Sequence, residues 1–267
     1  MFFKSKLSIF ASTLFVLMSL NVHSTVVEIR TSLGTIEVNL FDNTTPETVA
    51  NFLSYANSGA YASSVVHRSV SNFIVQGGGF QYTGPVAVNS FSLDSISTGT
   101  PVANDPKLSN MRGTIAMAKT SNPDSATSQW FINLSNNANS LDVATNAGGF
   151  TVFGQVVGDG MLVVDAIAAL TLLNGGGAFG ELPIRSYSQA DVDNEVPITD
   201  DNLVVISDIV VTDASADSAA NLNPTLNTLV NTTTGGGGSG ASGGGGAIGW
   251  LLLLGLVMLQ KTWLFKR

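Results

Sequence analysis

The chain has 267 residues, no cysteine and a formal net charge of −8. The missing cysteine excludes disulfides, thiol nucleophiles and a lipoprotein attachment point. Five of the 11 basic residues sit in the two ends and all 19 acidic residues lie between them. That leaves the middle at about −13, a charge that repels nucleic acid and anionic membranes.

At the front, Lys4 and Lys6 precede an apolar run from Leu7 to Leu20, followed by Val22-His23-Ser24. This pattern predicts a signal peptide over 1–24, cut before Thr25, because the run is short for a membrane span. "TVVEIRTSLGTIEVNLF" then places Val27, Ile29, Ile36, Val38 and Leu40 at spacings of two around Leu33-Gly34, the signature of a hairpin. "TTPETVANFLSYANSG" predicts a helix. Thr45 is the expected cap, Pro46 and Glu47 open the first turn, Val49, Phe52, Leu53 and Ala56 share one face, and Gly59 stops it.

Short strand-like runs follow: "SVVHR", "FIVQG", "GTIAMAK", "SQWFINL" and "TVFGQV". "GDGMLVVDAIAAL" predicts a second helix, with Leu162, Asp165, Ile167 and Leu170 loosely periodic, and "NLVVISDIVV" a last strand. Many short strands without strand–helix alternation argue for an antiparallel barrel or sandwich. The segment from Asp213 to Thr234 has few large apolar residues and is expected to be linker. Gly235–Gly246 is almost all glycine and serine, Ala247–Gln260 is apolar, and Lys261, Lys266 and Arg267 are basic. The end resembles a GlyGly-CTERM sorting tail, which a rhomboid-type protease removes; a permanent anchor is the other reading. In either case the terminal charges face the cytoplasm and the middle lies outside.

Three blocks carry the chemistry: "VVHRSVSNFIVQGGGF", "GTIAMAKTSNPDSATSQWFINL" and "FTVFGQVVGDGMLVVDAI". Arg68 and Gln76 flank an apolar pair, and no nucleophile–base pairing lies nearby. A lone His67 without a second ligand is expected to be structural. Gly77–Gly79 lacks a following Gly-Lys-Ser/Thr and is expected to make a tight turn rather than a phosphate cradle.

Together the blocks resemble cyclophilin-type peptidyl-prolyl cis-trans isomerases, closest to the bacterial periplasmic kind, over about Val26 to Asp213. The resemblance implies a mainly β fold, a closed antiparallel eight-stranded barrel capped by two α-helices. It implies rotation about Xaa-Pro bonds of exported polypeptides, with no cofactor, no metal and no covalent intermediate, by a monomer. Arg68 matches the catalytic arginine. Phe73, Ile74, Phe131 and Leu141 match the proline pocket. Gln76 and Gln129 match groups that hold the substrate backbone and orient the arginine. Ala118 and Lys119 lie where main-chain groups bind the residue before proline.

The chain also departs from the pattern. Ser140 stands where many members have tryptophan or phenylalanine, and Phe150 where eukaryotic members have a rim histidine. Weak cyclosporin binding is therefore expected. Trp130 replaces a usual phenylalanine and is expected to point into the core. Thr171–Asp201 is longer and more acidic than a minimal domain and has no assigned role. The expected layout is 1–24 signal peptide, 25–213 isomerase domain, 214–246 linker and 247–267 hydrophobic helix with a basic end. Localisation is expected to be periplasmic, cell-surface or secreted. A second functional reading, a module that binds proline segments with little turnover, remains open.

Overall fold

The computed structural model describes residues 25–214 and 222–230. The predicted signal peptide and hydrophobic tail lie outside them. Among the described residues no helix is long and apolar enough to cross a membrane.

The elements run β1 (Val26–Thr31), β2 (Gly34–Leu40), α1 (Pro46–Asn57), β3 (Ser64–Val65), β4 (Arg68–Val70), β5 (Ile74–Gly77), β6 (Phe80–Gln81) and β7 (Asp94–Ser95). They continue with β8 (Thr114–Met117), β9 (Trp130–Asn133), α2 (Ala138–Leu141), β10 (Val152–Val156) and α3 (Gly160–Ala168). The last are β11 (Thr171–Leu173), β12 (Leu182–Ile184), α4 (Gln189–Asp193) and β13 (Val205–Asp213). The fold is mainly β, as expected.

One sheet takes the order β4-β5-β9-β8-β10-β2-β1-β13-β3-β6-β7, and β11 pairs with β12 alone. All its pairings are antiparallel. The sheet therefore has eleven strands rather than eight, and no pairing joins its two ends among the described residues. It is strongly curled, because β3 and β4 are consecutive pieces of one chain segment. The first pairs Val65 with Val205 on β13, and the second pairs Arg68 with Gln76 on β5.

The strand alternation sorts side chains onto two faces. Val75, Ile115, Met117, Trp130 and Ile132 enter the main core with Val27, Ile29, Ile36 and Val38 of the hairpin. Ile74, Ala116, Ala118 and Phe131 project to the other side, into a second cluster with Leu141 and Phe150. Trp130 is buried, as its position predicts. Helix α1 adds Val49 and Phe52 to the main core and α3 adds Val164 and Ile167. Each such fully buried side chain is worth about 1.5–3 kcal/mol.

Several local expectations change. Thr45 makes no side-chain cap; its hydroxyl donates to the Val152 carbonyl at 3.4 Å. On α1, Thr48 and Tyr55 are buried and Leu53 only partly so. On α3 the buried positions are Gly160, Val164 and Ile167, and Leu162 is exposed, because the face is set by where the helix meets β2. Two one-turn helices, α2 and α4, join the two predicted ones, the second opened by a Ser188–Asp191 capping box. They are too short to leave a periodic signal.

Two segments, one without an assigned role and one expected to be linker, pack on the domain. Part of Thr171–Asp201 builds a third cluster, with Phe179, Leu182, Ile184 and Ile198 packed on Val65 and Leu203. Part of the expected linker, 222–230, lies against the domain. Leu226 bridges to Leu108, and the Ser109 amide donates to the Thr225 carbonyl at 2.8 Å. The amide of Asn227 donates to the Lys107 carbonyl at 2.8 Å, and its buried side chain donates to the Asp142 carbonyl at 3.0 Å.

Candidate active site

The second apolar cluster opens to solvent as a shallow hollow lined by Phe73, Ile74, Gln76, Ala118, Lys119, Phe131, Leu141 and Phe150. The strand period explains most of this lining. Ile74 and Gln76 sit two apart on β5, Ala118 follows β8 in step with Ala116, and Phe131 projects from β9 between core-facing Trp130 and Ile132. Leu141 closes α2, and Phe150 meets Phe131 edge to face at 5.9 Å between ring centres.

Arg68 and Gln129, also expected at the site, stand beside the hollow rather than in its wall. Both are tied to Gln76. Arg68 is its cross-strand partner, and Gln76 Nε2 donates to Gln129 Oε1 at 2.9 Å. The resemblance led one to expect both glutamines to orient the arginine; among the described residues neither glutamine side chain is hydrogen-bonded to its guanidinium. Arg68 Nε instead donates to Glu181 Oε2 at 2.9 Å, an ion pair from the segment left unassigned.

Lys119 contributes its side chain as well as its main chain. Its ammonium donates to the Ala147 carbonyl and lies 4.4 Å from the Phe150 ring centre. Such a contact is worth about 0.5–2 kcal/mol. Burial pushes the amine down to about 8, against a smaller upward pull from Asp124.

The three glycines make room. Gly78 has φ +75°, and a Cβ there would come within 2.7 Å of Trp130 Nε1 and the Ser128 carbonyl oxygen. A Cβ at Gly79 would come within 2.7 Å of the Gln129 side chain. A tight turn was expected; the glycines also let Trp130 and Gln129 pack directly on the backbone.

A buried polar network supports the hollow from behind. The Asp142 carboxylate accepts from the Ser109 hydroxyl, from the Asn110 amide at 2.9 Å and from Asn110 Nδ2 at 2.8 Å. Asn110 Nδ2 also reaches the Phe150 carbonyl at 3.1 Å, and Asn137 Nδ2 reaches the Phe73 carbonyl at 2.8 Å. Asn133 joins the two halves, donating to Asn110 Oδ1 at 3.1 Å and accepting from Asn137 at 2.7 Å. Three wall positions, Phe73, Leu141–Asp142 and Phe150, are thus held by one set of bonds. Sequence reasoning missed this network and Glu181, since scattered Asn and Asp carry no spacing signal.

His67 is fully buried, edge-on to Phe80 at 4.9 Å, and neither ring nitrogen has a hydrogen bond of normal geometry. Burial pushes it down to about 4; the Val65 backbone favours the charged form and nearby Arg68 opposes it, both more weakly. A neutral ring inside an aromatic cluster agrees with a structural role.

The family model described as cyclophilin type peptidyl-prolyl cis-trans isomerase/CLD matches residues 26–188. A peptidyl-prolyl cis-trans isomerase of Acinetobacter baylyi is 44% identical over 147 residues, covering 54% of this chain and 72% of that protein. Peptidyl-prolyl cis-trans isomerase A of Dickeya dadantii is 45% identical over 155 residues, covering 57% and 76%. Peptidyl-prolyl cis-trans isomerase B of Escherichia coli is 40% identical over 145 residues, covering 53% and 82%. With the match spanning the strands that build the hollow, the chain belongs to the cyclophilin-type peptidyl-prolyl cis-trans isomerase family.

Proposed function

We propose that this hollow seats a proline ring and that the chain accelerates cis/trans rotation about Xaa-Pro bonds. Resonance sets a barrier of about 18–20 kcal/mol to that rotation. Uncatalysed exchange takes tens of seconds or more. Rotation breaks no covalent bond, so the task is to grip the ring, turn the preceding carbonyl and draw the nitrogen lone pair out of conjugation. Phe73, Ile74, Phe131 and Leu141 supply the grip. The guanidinium of Arg68, beside Gln76, donates toward the prolyl amide and stabilises the twisted state. Gln76 and Gln129 hold each other and the substrate backbone, and the main chain at Ala118 and Lys119 meets the residue before proline.

The observation that carries this reading is the register that sets Arg68 beside Gln76 at the edge of an apolar hollow. A protease-coupled assay on a Xaa-Pro peptide tests it. Acceleration by the full chain, lost in Arg68→Ala, is the expected result. Full activity in that variant would sink the catalytic assignment. Peptide binding without acceleration would favour the binding-module reading, which Ser140 motivates, because it is exposed on α2 and adds nothing to the hollow's wall. The same thin wall, with Phe150 engaged by Lys119, supports weak cyclosporin inhibition.

The proposal extends to the whole chain. Counting Ser64–Val70 as one strand gives a ring of eight around the main core, the closed barrel expected for the family. The ends support export, with proline-containing exported polypeptides as clients. They also support at least transient membrane attachment through 247–267, with the domain monomeric outside the cytoplasm.

A further inference from the structure

We infer that Glu181 is a positioning residue for catalysis: it holds the Arg68 guanidinium in the orientation that serves the prolyl amide. This rests on the proposed catalytic role of Arg68. Glu181 comes from the β11–β12 hairpin, more than a hundred positions along the chain. Its backbone is pinned to the arginine's own strand, because the Ser69 amide donates to the Glu181 carbonyl at 2.8 Å. With the main chain anchored there, the carboxylate reaches Arg68 Nε at 2.9 Å.

The form of the contact decides its effect. A carboxylate bound across both terminal nitrogens would occupy the donors that a substrate needs. Here the bond is to Nε, and the Arg68 side chain has no further hydrogen bond among the described residues. Both terminal amino groups stay available while the long side chain loses its freedom to swing. The carboxylate also opposes the arginine's charge, but that effect is the weaker one. The Glu181 side chain is 40% exposed, so water screens it, whereas Arg68 is only 16% exposed. Orientation therefore outweighs cancellation, and the pair favours catalysis.

The test is a double-mutant cycle in the full chain, read by protease-coupled kinetics. Glu181→Ala is expected to lower kcat/KM about tenfold, chiefly through kcat, since a misaimed donor costs rate more than binding. Glu181→Gln keeps an acceptor oxygen without the charge and is expected to stay within about threefold of wild type. In an Arg68→Lys background, which has no Nε–H to hold in a fork, Glu181→Ala is expected to change kcat/KM by less than about twofold. Melting temperatures are expected to match throughout, because the pair is partly exposed. An equal loss in both backgrounds would overturn the inference, as would a Glu181→Ala enzyme as fast as wild type or faster. Full activity in Arg68→Ala would instead overturn the catalytic reading beneath it.

Discussion

Arg68 and His67 are neighbours in the chain with opposite roles. Arg68 reaches solvent beside the hollow, and its replacement by alanine is expected to cut kcat/KM by roughly 100-fold or more, the usual effect of losing one preorganised donor. Stability should hold within about 1 kcal/mol. His67 carries the reverse signature. Its pKa is lowered to about 4 in the fold from 6.5. Between those values the unfolded chain binds the extra proton, so stability falls as pH drops from 6.5 and stops falling below about 4. The full loss amounts to roughly 3–4 kcal/mol. Urea unfolding at pH 7 and pH 4 measures it, and His67→Phe is expected to remove that part of the pH dependence. An unchanged pH dependence in the variant would refute it. The motif made Arg68 legible from sequence, while Glu181 was not, because its pairing depends on where a long hairpin returns.

Two elements stand out: the glycine turn after β5 and the segment 222–230. Gly78→Ala combines a left-handed φ with a Cβ 2.7 Å from backbone and indole atoms. It is expected to cost about 2 kcal/mol or more by chemical denaturation, and to reduce activity by displacing Ser128 and Trp130, which flank Gln129 and precede Phe131. The segment 222–230 packs Leu222 against the hollow's cluster and braces Asp142, the residue after Leu141, through Asn227. Asn227→Ala leaves a buried carbonyl without that donor and is expected to cost about 1–2 kcal/mol. Thr228→Ala, at an exposed position beside it, should stay within about 0.5 kcal/mol. Equal effects of the two substitutions would show that the segment does not brace the pocket wall. The segment's sequence, "LNPTLNTLV", lies in a polar stretch from Asp213 to Thr234 whose composition did not announce this docking. It attaches by main-chain pairing, which sequence patterning does not record.

At the scale of the whole molecule, the proposed export signal and sorting tail can be tested directly. Intact mass of the protein from cells is expected to lack Met1–Ser24 and to stop within Gly235–Gly246. A mass that includes Lys261–Arg267 would refute removal of the tail and support the permanent anchor. An excess of acidic residues about the domain also bears on clients. Basic unfolded segments should be attracted more at low salt, an effect screened beyond about 10 Å at 0.1 M.

The sequence by itself determined the longer strands, the two long helices and eight lining residues of the hollow, but not the short strands β6, β7 and β11. It did so because each is local: alternation of period two assigns a side chain to one face of a strand, and the three blocks carry the residues in order. Only the tertiary structure decided which groups brace them. Glu181 on Arg68, the Asn–Asp network behind Phe73 and Phe150, and Asn227 on Asp142 are all pairings between distant parts of the chain. A polar side chain's partner is set by the curl of the sheet and the return path of its loops, and no spacing within the sequence encodes either.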